Sequence, residues 1–188
     1  MLLRHRAPRI DARPVTTKTK GYEHLDEKSL ALLRWLKENR VDFVLVGAVA
    51  QSIRGDTGAR GPVSIVPAPY GRNLDRLARA LNSAHARERV GDSSGREPPA
   101  VKMAAEKLVG GRRWTLRLGV HDLDIEGRPK GVPRYQELLY ESARLELAAD
   151  LYVEVASPED IEHYDHVRRT GTAPEIRITR KDSAVEKL

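Results

Sequence analysis

Cysteine is absent from the 188-residue sequence. Its absence excludes a disulfide framework, a thiolate-held zinc or iron–sulfur site and thiol nucleophile chemistry, and it is compatible with a reducing compartment. Long apolar runs are missing as well. None approaches the roughly 18 residues that cross a bilayer, and the opening MLLRHRAPRI has no apolar stretch of the kind a signal peptide needs. The expectation is a cytoplasmic protein with no membrane partner. Internal repeats are lacking too, and the length suits one domain rather than two independent enzymatic ones.

Charge is plentiful but unevenly placed. The formal net charge is +6, from 33 basic and 27 acidic side chains. Residues 1–20 hold Arg4, Arg6, Arg9, Arg13, Lys18 and Lys20 against Asp11 alone, and the stretch from Arg168 onward is again basic. The body between them is slightly acidic. The chain therefore divides into a basic flexible arm at 1–20, a folded domain at 21–168 and a basic tail at 169–188. The six cations of the arm are candidate phosphate ligands for a nucleic acid, through counterion release. Solubility is the other use of such charge.

Within the body, Leu25–Arg40 spaces its apolar residues as an amphipathic helix. Phe43–Val46 is a continuous apolar run stopped by Gly47, the pattern of a strand buried on both faces, and a short helix follows at Ala48–Arg54. Val63–Val66 reads as a second strand. Leu74, Leu77, Ala78 and Leu81 mark a helix over Asn73–Leu81. Residues 91–100 are loop by composition. Val101–Val109 and Arg112–Ile125 flank Gly110-Gly111, and the alternation of Trp114, Leu116, Leu118 and Val120 predicts a hairpin turning at that pair. A helix over Tyr135–Leu147, a strand at Leu151–Val155 and a helix opened by Ser157-Pro158 and running to about Arg168 complete the order. The fold class expected is α/β (α+β), a mixed sheet with helices packed on it.

The ordered set Phe43–Leu81, His121-Asp122-Leu123-Asp124-Ile125, Gly127-Arg128-Pro129, Tyr135 with Leu138, and Val155-Ala156-Ser157-Pro158-Glu159-Asp160-Ile161 resembles the minimal nucleotidyltransferase family. That family includes bacterial abortive-infection toxins and antitoxin-like proteins, and the likeness covers about residues 25–168. It implies transfer of a nucleotide from a nucleoside triphosphate to a hydroxyl. Carboxylates at i and i+2 of one strand, joined by a third on its neighbour, hold two magnesium ions, while a Gly-Gly or Gly-Ser turn approaches the triphosphate.

In that alignment Gly47, Ala48 and Ser64 fall at nucleotide-binding positions. Pro62 and Ser64 stand where the paired aspartates belong, and neither supplies an anionic oxygen for a hard cation. Asp124 remains as the third carboxylate and sole metal-ligand candidate, with Asp122 as a relic or weak catalytic partner and Asp56 nearby on a loop. Asp165 replaces a lysine of the family pattern. The resemblance makes Phe43–Val46, Val63–Val66 and Leu116–Ile125 neighbours in the sheet, with Ser64 facing Asp124. A literal Gly110-Gly111 to Asp122-x-Asp124 spacing also exists, but its spacer alternates like a strand where the family has a helix. His163 and His166 could present two imidazoles to a metal or form a solvated helix face. Arg112-Arg113-Trp114 could stack on a nucleic acid or form a hairpin shoulder.

Three readings follow. The first is a nucleotidyltransferase-like protein that has lost its metal pair, needs no cofactor, and binds a nucleotide, RNA or a protein partner without catalysis. The second is an active enzyme using magnesium and a nucleoside triphosphate through Asp124 with Asp122 or Asp56, of toxin–antitoxin or defence type. The third is a regulatory module that binds a protein through the Leu25–Arg40 helix.

Overall fold

The computed structural model describes residues 8–11, 17–89 and 98–171. Six helices and a seven-stranded mixed sheet make up the described chain. In order they are α1 (Glu27–Glu38), β1 (Phe43–Val46), α2 (Gly47–Ile53), β2 (Val63–Pro67), α3 (Gly71–Ser83), β3 (Arg87–Glu88), α4 (Ala105–Val109), β4 (Trp114–Leu118), β5 (His121–Ile125), α5 (Tyr135–Glu141), β6 (Ala143–Ala148), β7 (Leu151–Val155) and α6 (Pro158–Thr170). The sheet runs β3-β4-β5-β2-β1-β7-β6. β1 is antiparallel to β2 and parallel to β7, and β2 is parallel to β5. Among the described residues no helix is long and apolar enough to cross a membrane.

β1 is apolar throughout, and β2 is apolar apart from Ser64, because both sheet faces are covered. α1 packs on β2, β5 and β7, α2 contacts β2 and β1, and α6 contacts β1 and α2. α1 and α6 carry side-chain start signals. Asp26 caps α1 by accepting the Ser29 amide at 2.8 Å, and Ser157 caps α6 by accepting the Asp160 amide at 3.1 Å. Asn73, fully buried near the start of α3, clasps the outer end of the β1–β2 pair. It accepts from the Asp42 amide at 2.8 Å and donates to the Asp42 and Ala68 carbonyls at 2.9 and 3.0 Å.

Two sequence expectations are corrected. The hairpin turns at Gly119-Val120, between Leu118 and its partner His121, and not at Gly110-Gly111. A two-residue turn needs positive φ, which Gly119 supplies at +62°. Gly110 instead caps a helix, α4, in place of the strand expected over Val101–Val109; Leu108 of α4 is buried. The helix expected over Tyr135–Leu147 ends at Glu141. Residues Ala143–Ala148 form β6, pairing Arg144 with Glu154 and Leu145 with Val153. The leucines that continue the helical spacing also satisfy alternation, and Asp150 at φ +58° turns the chain back into β7.

The part of the N-terminal arm that is described is anchored to the domain. The Thr19 amide donates to the Leu147 carbonyl at 3.1 Å and the Ala149 amide to the Thr17 carbonyl at 3.0 Å, so residues 17–19 lie along the outer edge of β6. Asp11 reaches His121 at 2.8 Å.

Candidate functional site

Ser64 and Asp124 are register partners on the parallel strands β2 and β5. Strand alternation then puts Asp122, Asp124 and Glu126 on one face of β5 and its continuation, three carboxylates in a row. Such a row cannot be buried unpaired. The neighbouring hairpin strand supplies the cations: the register sets Arg117 opposite Asp122 and Thr115 opposite Asp124, so Arg113 and Arg117 share this face, joined by Arg89 just past β3.

The outcome is a continuous alternation of charge. Arg117 donates to Asp122 at 3.0 Å, and Asp122 lies 3.3 Å from Arg89. Arg89 donates to one oxygen of Asp124 at 2.7 Å, and Arg113 donates to the other at 2.6 Å. Arg113 lies 3.5 Å from Glu126, whose second oxygen pairs with Arg168 of α6. Arg168 lies 3.5 Å from Asp165, which accepts a hydrogen bond from Gln51 of α2. The Asp124 side chain is 1% exposed and that of Glu126 is 6% exposed. Burial pulls the Asp122 carboxyl upward, but Arg117 and Arg89 outweigh it and hold it below its ordinary value of 3.8. For Glu126 burial prevails over Arg168 and Arg113, and the carboxyl is pushed above its ordinary 4.5.

The donor set here does not fit a two-magnesium clamp. Both oxygens of Asp124 are spent on guanidinium groups, its register partner Ser64 offers a neutral hydroxyl, and Pro62 offers none. Among the described residues no cluster of three His, Asp or Glu side chains could hold a metal ion. Asp56 lies on the exposed turn after α2, where its carboxylate accepts the Gly58 amide at 3.2 Å. The literal Gly110-Gly111 to Asp122-x-Asp124 spacing is spanned by strand β4 and its turn, with no helix after the glycines.

Gly47 opens α2 at φ +70°, and a Cβ there would sit 2.8 Å from Ser64 Oγ and 3.5 Å from an Arg168 guanidinium nitrogen. The strand beside it therefore requires this glycine. Ala48 packs its methyl where Gly61 leaves room for it, a Cβ on Gly61 lying 2.9 Å away. Ser64 Oγ is buried with no hydrogen-bond partner among the described residues. Gly47, Ala48, Ser64 and Asp124 are thus drawn to one end of the central strands, beside Arg168 of α6.

Beside this row lies a chamber of about 300 Å³. The end of the β4–β5 hairpin, the loop after β5 and the last turns of α6 line it on the sides that are not open to solvent, with Arg113, Glu126, Arg128, Tyr164 and Arg168 in its wall. Gly127 is needed there, since a Cβ would stand 2.6 Å from the Gly111 carbonyl. Of the arm's candidate phosphate ligands, Arg4, Arg6 and Arg13 lie outside the described residues. Arg9 and Lys20 are exposed, while the Lys18 ammonium pairs with Glu27 at 3.0 Å and donates to the Glu23 and Leu25 carbonyls. Arg112 stacks over the ring of buried Trp114 at 4.3 Å.

Sequence reasoning missed Arg89, Glu126 and Arg168, and read Arg113 as a stacking group or hairpin shoulder and not as a partner of Asp124. A signal existed: with the turn set at Gly119, the alternating Arg113 and Arg117 face the alternating Asp122, Asp124 and Glu126 with opposite sign. Arg168 had no such signal, because α6 meets β5 only through the fold. No known family model matches the chain, and no curated protein matches it.

Proposed function

We propose that this chain is a nucleotidyltransferase-like domain that does not transfer nucleotides and binds a nucleotide in the old substrate cleft without metal. The observation that supports this most directly is Asp124, buried with one oxygen on Arg89 and the other on Arg113. Two divalent cations in an in-line displacement need several anionic oxygens converging on them. Here the position nearest to that requirement is neutralised by the protein's own cations. The sheet order, with β2 between β1 and β5 and Ser64 beside Asp124, is the arrangement the resemblance calls for.

Incubation with nucleoside triphosphates labelled at the α-phosphate, with RNA or the protein itself as acceptor, tests the reading. No magnesium-dependent incorporation of label is expected. Incorporation abolished by Asp124→Ala would establish the active enzyme instead. Binding of the labelled nucleotide should persist in a chelator.

A further inference from the structure

The chamber beside the ion-pair row has a composition that the row does not explain. Arg113 and Arg168 are held by Asp124, Glu126 and Asp165, which makes them part of the buried charge balance. Arg128 is different. Its guanidinium donates to the Val109 carbonyl and pairs with no carboxylate among the described residues. Arg168 Nε is buried and lacks a hydrogen-bond partner among the described residues. Three guanidinium groups therefore border one half-open space whose lining contains a single carboxylate, Glu126. The last turn of α6 contributes a weak negative end to the same space, which the full charge of Arg128 outweighs. A volume of about 300 Å³ lies at the small end of ligand pockets and suits a mononucleotide-sized molecule rather than a polymer groove.

We propose that this chamber seats a phosphate monoester, with Arg128 as the principal ligand and Arg113 and Arg168 flanking it. Guanidinium groups present paired N–H donors that match phosphate oxygens, and a phosphate supplies the counter-charge that Arg128 lacks among the described residues. The chamber adjoins the Gly47 turn through Arg168, whose guanidinium nitrogen lies 3.5 Å from where a Cβ on Gly47 would stand. This assignment rests on the metal-free reading of the cleft and names the chemical group that it recognises.

Calorimetric titration of the full chain with adenosine 5′-monophosphate, inorganic phosphate and adenosine, each in magnesium and in chelator, tests it. Adenosine monophosphate and phosphate should bind in both conditions, with adenosine at least about tenfold weaker. Arg128→Gln should weaken adenosine monophosphate about tenfold or more, the loss expected for one charge-assisted contact, without shifting the thermal midpoint. No binding of either phosphate probe, equal binding of adenosine, or an unaffected Arg128→Gln variant would overturn the chamber while leaving the metal-free reading intact. Magnesium-dependent binding that falls with Arg128→Gln would keep the chamber and overturn that reading. Magnesium-dependent binding indifferent to Arg128 would overturn both.

Discussion

Arg113 reaches two carboxylates at once, donating to Asp124 at 2.6 Å and lying 3.5 Å from Glu126. Carboxylates two residues apart on one strand face repel each other across a poorly solvated gap, and the cation wedged between them is what allows both to be buried. Arg89 plays the same part between Asp122 and Asp124. The acidic groups therefore form one coupled unit, and a change at any of them is felt along the row.

Asp124→Asn should lower folding stability by about 2–4 kcal/mol in urea titrations. It weakens two charge-assisted hydrogen bonds worth about 1.5–3 kcal/mol each, part of which is recovered as the partly exposed Arg89 and Arg113 rehydrate. A double-mutant cycle with Arg89→Gln should return a coupling of about 0.5–3 kcal/mol. Simple additivity would mean that the pair contributes nothing specific.

Asp122 and Glu126 should respond to pH with opposite sign. Asp122 titrates below 3.8 in the native state, so its stabilisation is present above 3.8 and is lost as pH falls through the native value. Glu126 titrates above 4.5, so the native state holds the proton more tightly, and its contribution is largest below 4.5 and declines as pH rises through the native value. Asp122→Asn should thus cost stability near neutrality and little in acid, whereas Glu126→Gln should flatten the decline above 4.5. Unfolding free energies across this range, compared between the two variants, check the signs.

Ser64→Ala should be neutral or stabilising by up to about 1 kcal/mol, because it deletes a buried hydroxyl without a partner. Gly47→Ala should cost about 1–3 kcal/mol, since φ is +70° and the new Cβ meets Ser64 Oγ. Combining the two should recover part of that loss. A destabilising Ser64→Ala would show that the hydroxyl has a partner.

Deleting residues 1–20 should cause self-association visible by size-exclusion chromatography, because it uncovers the edge of β6 that residues 17–19 line. Deleting residues 1–13 should not. If the arm engages nucleic acid, each lost phosphate contact should lower the salt slope by about 0.7 to 0.9. Lys18→Ala should reduce stability, through its contacts to Glu27, Glu23 and Leu25, with little effect on that slope.

Much of the architecture is local and was legible in the chain. Phe43–Val46 is apolar at every position because both faces of a central strand are covered, and Asp26 and Ser157 announce their helices through side-chain caps. β6 and α4 were not legible, since Leu145 and Leu147 satisfy two periodicities and only pairing with β7 selects one. That Pro62 and Ser64 carry no carboxylate was likewise plain in the sequence. What surrounds Asp124 was not. Arg89 follows β3, Arg113 precedes β4 and Arg168 lies in α6, and their charges meet Asp124 and Glu126 because strand register and helix packing bring them there. Hydrophobic periodicity reports which face of an element is buried, whereas an ion-pair row depends on which elements become neighbours, and only the tertiary structure decides that.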